Sequence, residues 1–263
     1  SKLSITLDLK NDESINELKK LIAQVDAVFE GFRPGVMEKL GLGPDNLLDI
    51  NEKLVYGRMT GWGQEGLFSD MAGHDLNYLS ITGALNAIGR KDDRPPVPLN
   101  LIADYGGGGM LLAVGMLSAL IHSQKTGKGQ VVDAAMIDGS SMLMSLFYSF
   151  YGSGIWENER ESNLLDGAAH FYDTYECKDG KFIAVACIED KFYKEMLDVL
   201  EIEDERFTKQ FNKDIWPELK IILGEKFLSK DRDEWALIFK NSDACITPIL
   251  DLEEAPKHEH NKS

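Results

Sequence analysis

The chain has 263 residues, 43% of them hydrophobic and 27% charged, with a formal net charge of −16 at pH 7. That length and apolar share suffice for one large core or two modest ones. The acidic balance argues against nucleic acid or an anionic membrane surface as a partner, because both select for basic patches.

The opening, SKLSITLDLKNDES, is polar and charged and does not read as a secretory leader. Within it SITLDL (4–9) alternates like a strand, and ESINELKKLIAQ (13–24) repeats at helical spacing with Asn11 or Asp12 as its cap. DAVFEGF (26–32) and part of LVYGRMTGWG (54–63) read as further strands. Strand, helix and strand at this pitch predict parallel α/β units. HDLNYLSITGALNAIG (74–89) predicts a helix closed by Gly89, and RPPVPLN (94–100) an extended connector whose prolines exclude helix. GGGGMLLAVGMLSALIHSQKTGKG (106–129) predicts a glycine-led helix closed by a basic, glycine-containing turn. Its apolar run at 110–121 is shorter than the ~20 residues of a membrane span, so it reads as a buried helix with no membrane partner. QVVDAAM (130–136) is strand-like and SSMLMSLFYSFYG (140–152) an apolar helix.

The character then changes. FYDTYECKDGKFIAVAC (171–187) predicts two strands joined across KDG, followed by helical patterns at 190–200, 215–229 and 231–240 and a last strand in DACITPIL (243–250). The chain divides into an α/β domain over 1–155, a linker over 156–170 and a smaller α+β domain over 171–263. Cys177, Cys187 and Cys245 show no metal-type spacing, and an odd number is a poor disulfide framework, which indicates a reducing, cytoplasmic compartment.

Several patterns carry little. GWGQEG matches G-x-G-x-x-G, but LFSDMAG follows as a loop and 79–91 hold no acid, so it reads as a loop allowing close backbone approach rather than a dinucleotide site. GGGG (106–109) lacks the Gly-Lys-Ser/Thr of a phosphate loop; exposed amides for a ligand and tight helix packing both fit it. His258 and His260 read as solvated, and His122 and His170 as structural.

Three ionisable residues stand at junctions where α/β folds gather active-site groups. His74 opens a helix after glycine, Asp104 precedes the glycine run, and Glu189 lies where an apolar strand gives way to a helix. Taken singly, Asp104 and Glu189 read as helix caps and His74 as a satisfied histidine.

FRPGVMEKLGLG, TGWGQEG, AGHDLNYL, PLNLIADYGGGG, GKGQVVDAAMIDG, LLDGAAHFYDTYEC and DACITPIL resemble the α-methylacyl-CoA racemases of the family III CoA-transferase superfamily, over essentially the whole chain. The resemblance implies a Rossmann-like large domain with a parallel sheet, a smaller α+β domain, and an interlocked homodimer whose active sites combine domains of both subunits. It implies 1,1-proton transfer at C2 of a 2-methylacyl-CoA thioester in branched-chain fatty acid metabolism. His74 then works on one face of C2 and Asp104 on the other, with Glu189 as the partner of Asp104; backbone amides near Asp104 and the glycine run stabilise the oxyanion. Arg33 is implied as a phosphate or adenine contact and Leu7 to Lys10 as an adenine contact, with Gly73, Asp75 and Tyr78 lining the thioester end. No metal or organic cofactor is implied, coenzyme A being part of the substrate, and a eukaryotic source would place the enzyme in peroxisomes or mitochondria. Family members extend further at both ends, so the chain reads as truncated. The alternatives are a CoA-transferase with Asp104 as nucleophile, or a non-catalytic CoA-binding fragment.

Overall fold

The computed structural model describes residues 2–263. They form two compact units: one from the residues up to Asn86 with Pro96–Ser153, the other from Ala87–Pro95 with Gly154–Ser263.

In the first unit, the Asn11 side chain accepts from Glu13 N and opens α1 (Asp12–Ile22), which buries Ile15 and Ile22. β1 (Ala27–Glu30), α2 (Val36–Lys39), α3 (Pro44–Ile50) and β2 (Val55–Thr60) follow. Next come α4 (Asp75–Ser80), α5 (Ala84–Ala87), a π-helical segment (Leu101–Met110) and α6 (Leu111–Thr126). β3 (Gln130–Ala135), α7 (Met136–Leu143) and α8 (Ser145–Gly152) complete the unit. The sheet has the order β1-β2-β3, all parallel, with Ala27 opposite Val55 and Val55 opposite Gln130. Successive strand residues face opposite sides. Tyr56 packs with Ile15, Ile22, Met37 and Leu47 on one side, while on the other Gly57 leaves room for Met116 and Leu112 of α6. Helices thus cover both faces, as a parallel sheet requires.

Three expectations fail here. Residues 2–8 form no strand, and Leu3 and Ile5 are exposed: alternation makes a strand only where a neighbour supplies a ladder, and β1 pairs with β2 alone. The helix expected over 74–89 breaks after Ser80, because the Thr82 hydroxyl donates to Leu79 O and Gly83 adopts φ +78°. The run at 110–121, read as too short for a membrane, is part of a continuous helix, Leu101–Thr126, whose 26 residues include an 18-residue window of mean hydropathy 1.4, by length and composition alone enough to cross one. One side of α6 packs on the sheet, with Gly115 against Val132, and Val114, Leu117 and Ile121 are exposed.

The second unit carries β4 (Tyr172–Glu176), β5 (Phe182–Ala186), α9 (Asp190–Leu200), α10 (Trp216–Phe227), α11 (Arg232–Phe239), β6 (Ile246–Pro248) and α12 (Glu259–Lys262). Its antiparallel sheet has the order β4-β5-β6. The core gathers Phe171, Ile183, Val185, Met196, Leu219, Leu223, Phe227 and Trp235. Residues 156–170, read as a linker, belong to this unit. Asn163 is buried and donates to Glu157 O, and Glu161 pairs with Lys220 at 2.9 Å and with Arg90 at 2.9 Å. Arg90 in turn meets Asp173 at 2.6 Å, which fastens 87–95 to the same body.

Candidate active site

The carboxyl ends of β1, β2 and β3 open onto a cleft in the first unit, the position where open α/β sheets bind ligands. One cavity of about 420 Å³ is lined by Gly31 to Pro34 after β1, Met59 to Trp62 at the end of β2, Met136 after β3, and Gly73, His74 and Tyr78. A second, of about 410 Å³, shares Met59, His74, Tyr78 and Met136 and adds Asn100, Asp104, Tyr105 and Gly109. The two adjoin at His74. Arg33, exposed, stands on the wall of one, and Asp104 on the wall of the other.

His74 occupies the N-cap of α4 in an extended conformation; its backbone N donates to Asn77 Oδ1 at 3.1 Å, and its carbonyl accepts from Asn77 N and Tyr78 N. This backbone anchoring leaves the imidazole exposed on the cleft wall. Tyr78 is buried, and its hydroxyl donates in a short bond to Gly73 O. Burial, seconded by the charge of Asp104, raises its pKa and keeps that proton in place. Trp62 packs edge-on against Tyr78 at 4.8 Å. Gly61 and Gly73 explain themselves here. A Cβ on Gly61 would fall inside the Tyr78 ring, and one on Gly73 would meet Tyr78 at 2.8 Å and Trp62 at 2.9 Å. Of the glycines of GWGQEG, Gly61 therefore serves close approach, whereas Gly63 at φ +94° and Gly66 at φ +105° serve the turn of the backbone.

Asp104 lies within the π-helical segment, not at a cap, and its Oδ2 accepts from Asn100 Nδ2 at 3.3 Å. Wide π turns recur at functional sites. The glycine run that follows is inside the helix and packs on α7: a Cβ on Gly107 would meet Ser140 N at 2.7 Å, and one on Gly108 would meet Met136 at 2.9 Å. Its role is tight packing, and its amides do not open the helix. The amides at the start of the segment, Ala103 N and Asp104 N, both donate to Asp75 Oδ2 at 2.8 Å.

Asp75 is thus a correction. Read as part of the thioester-facing wall, it is 4% exposed, and its carboxylate points into the protein at the helix that carries Asp104. Leu7 and Lys10 line neither cavity, since the segment preceding α1 forms no strand to carry them there. Glu189 belongs to the second unit. It stands at the N-cap of α9, where the capping reading put it, but its side chain makes no cap bond. Gln210 donates to Cys187 O at 3.0 Å and Ile188 O at 2.9 Å, holding the backbone just before it.

Sequence reasoning missed Arg58. It is buried on β2, with Nη2 2.9 Å from Glu38 Oε1 and Nε 3.5 Å from Glu30 Oε1, and Glu30 Oε2 accepts from Phe32 N at 2.7 Å. Arg58 therefore grips both ends of the loop that presents Arg33. Burial raises the pKa of Glu30, against the Phe32 amide and the Arg58 charge, which lower it. The only available signal was a charged residue inside an otherwise apolar strand. Among the described residues no group of three His, Cys, Asp or Glu side chains is arranged to hold a metal ion.

A parallel α/β unit whose cleft is lined by an imidazole from a helix N-cap and a carboxylate from a π-helical turn has the architecture of an acid/base enzyme. The chain belongs to CoA-transferase family III, whose pattern matches residues 1–263. It is 45% identical over 261 residues to the α-methylacyl-CoA racemase of Mus musculus and 44% identical to that of Homo sapiens, covering 99% of this chain and 68% of each relative. The crystal structure of a CAIB/BAIF family protein from Brucella suis superposes with a TM-score of 0.80 at 27% identity, covering 98% of this chain and 69% of that one.

Proposed function

We propose that the chain is an isomerase that interconverts the (R) and (S) epimers of 2-methylacyl-CoA thioesters by moving one proton at C2. The observation that carries this reading is that His74 and Asp104 line one cavity of about 410 Å³, supported by 44–45% identity to two α-methylacyl-CoA racemases. One group takes the proton from C2, the electron pair passes to the thioester carbonyl to give an enolate, and the other group returns a proton to the opposite face. Each such acid/base group typically contributes about 10²–10⁴-fold. Arg33, which lines the adjoining cavity, is a cation available to the polyanionic coenzyme A on a chain of net charge −16. Glu189 enters through the family resemblance alone; its carboxylate is exposed. A homodimer is part of the same proposal, supported by the exposed Leu101, Tyr105, Val114, Leu117 and Ile121 along one long helix.

The test is proton NMR of a single-enantiomer 2-methylacyl-CoA in D2O with the purified chain, alongside His74→Ala and Asp104→Ala. Loss of the C2 proton signal with formation of the other epimer, abolished in both variants, is the expected result. Retention of the C2 proton with transfer of CoA to an added free acid would replace the racemase by a transferase.

A further inference from the structure

We infer that Asp75 is a positioning residue that sets the place of one acid/base group against the other. This inference rests on the racemase reading above. Asp75 is joined by a peptide bond to His74 and through its side chain to the amide of Asp104: Oδ2 accepts from Ala103 N and Asp104 N, each at 2.8 Å. Those two amides stand in the first turn of a continuous helix of 26 residues, where N–H groups have no partner within the helix. A carboxylate there completes two charge-assisted bonds, about twice as strong as neutral ones, and complements the positive end of the helix. The side chain is 4% exposed, and Oδ1 is buried without a protein partner, so the two amides are what hold the carboxylate. Asp75 does not touch the cleft.

The consequence is asymmetric. His74 is fixed by Asn77, whose Oδ1 accepts from His74 N at 3.1 Å and whose own N donates to His74 O at 2.8 Å, with no help from the Asp75 carboxylate. Asp104 has its backbone amide on Asp75 and only a long 3.3 Å contact from Asn100 on its carboxylate. Removal of the Asp75 carboxylate frees the start of the helix and displaces Asp104 while leaving His74 in place. A 1 Å misplacement of a reacting group can cost about 10²-fold.

The experiment uses Asp75→Ala and Asp75→Asn in the full chain. Each enantiomer is incubated separately in D2O, and C2 deuterium incorporation is followed apart from epimerisation. In the wild type, the proton removed from one face is replaced on the other, so incorporation accompanies epimerisation from both enantiomers. In Asp75→Ala, epimerisation falls about 10²-fold with KM changed little. The enantiomer presented to His74 still exchanges its proton with retention of configuration, and the other exchanges slowly. Asp75→Asn keeps an acceptor oxygen for both amides and restores most of the rate. Equal loss of exchange from both enantiomers, or wild-type epimerisation in a folded Asp75→Ala, overturns the inference. Should the alanine variant fail to fold, Asp75→Glu, which pushes the acceptor outward, must show the same one-sided exchange or the inference falls. Absence of C2 exchange in the wild type would instead refute the racemase reading itself.

Discussion

His170 offers a pH-dependent test of the second unit. The ring is fully buried, edge-on to Phe171, Tyr193 and Phe207. The Tyr193 hydroxyl donates to Phe207 O at 3.1 Å, so at 2.7 Å it accepts from His170 Nε2–H, which leaves Nδ1 as a buried lone pair without a partner. Protonation would put an unpaired charge in the core, and burial pushes the pKa from 6.5 down to about 3. A depressed histidine binds its proton more tightly in the unfolded chain. Its contribution is therefore complete above pH 6.5 and is lost as pH falls toward 3. At pH 5, about 1.5 units below the unfolded value and at about 1.4 kcal/mol per unit, the loss is about 2 kcal/mol. That figure holds for any folded value well below 5. Carboxylates such as Glu161, Glu195 and Asp204, whose pKa values are lowered, shed their stability below about pH 4.5, outside this window.

The perturbation is His170→Phe, which keeps an aromatic ring in the cluster and leaves Tyr193 bonded to Phe207 O. Hydrogen exchange of β4 and β5 amides, measured between pH 7.5 and 5 and corrected for intrinsic rates, reads the opening free energy of this unit alone. The wild type should lose about 2 kcal/mol more than the variant over that range. Parallel pH profiles would show that the buried imidazole does not titrate as argued.

The first unit supports two further predictions. Gly61→Ala drives a methyl into the Tyr78 ring and should cost about 10²-fold in kcat/KM by displacing that wall of the cleft, whereas Gly152→Ala, with open space around it, should leave turnover kinetics unchanged. Arg58→Met strands Glu30 as a buried, unpaired carboxylate, for which loss of a partner costs about 3–5 kcal/mol in urea unfolding. Because Arg58 also steadies the Arg33 loop, KM for a CoA thioester should rise more than kcat falls; an unchanged KM would separate Arg33 from coenzyme A.

Much of the fold was legible because it is locally encoded. β1, β2 and β3 are short apolar strands with helices between them, the KDG hairpin joins β4 to β5, and α9, α10 and α11 lie within the segments whose spacing announced them. What failed depended wholly or partly on partners elsewhere. SITLDL has the alternation of a strand but no ladder, and the pattern at 74–89 is interrupted by a threonine and a glycine whose neighbour, Tyr148, lies 66 residues from Thr82 along the chain.

The site shows the same division. His74 and Asp104 stand out in the sequence by type and position beside glycines, and they line one cavity, although Asp104 lies within a helix rather than at a junction. Asp75 was assigned with its neighbour because adjacency in sequence suggests adjacency of role. Yet at the start of a helix consecutive side chains diverge by about 100°, so a residue beside one on the cleft wall points elsewhere. The destination of that carboxylate, two amides 28 and 29 residues away, is a tertiary fact that no local pattern carries. The same holds for Arg58: its charge within a strand signalled an exception, but only the fold shows that Glu30 and Glu38, on either side of the Arg33 loop, are what it pairs with. Residues that touch substrate are constrained by chemistry and announce themselves by type. Those that hold them are constrained by distance, and must be read from the structure.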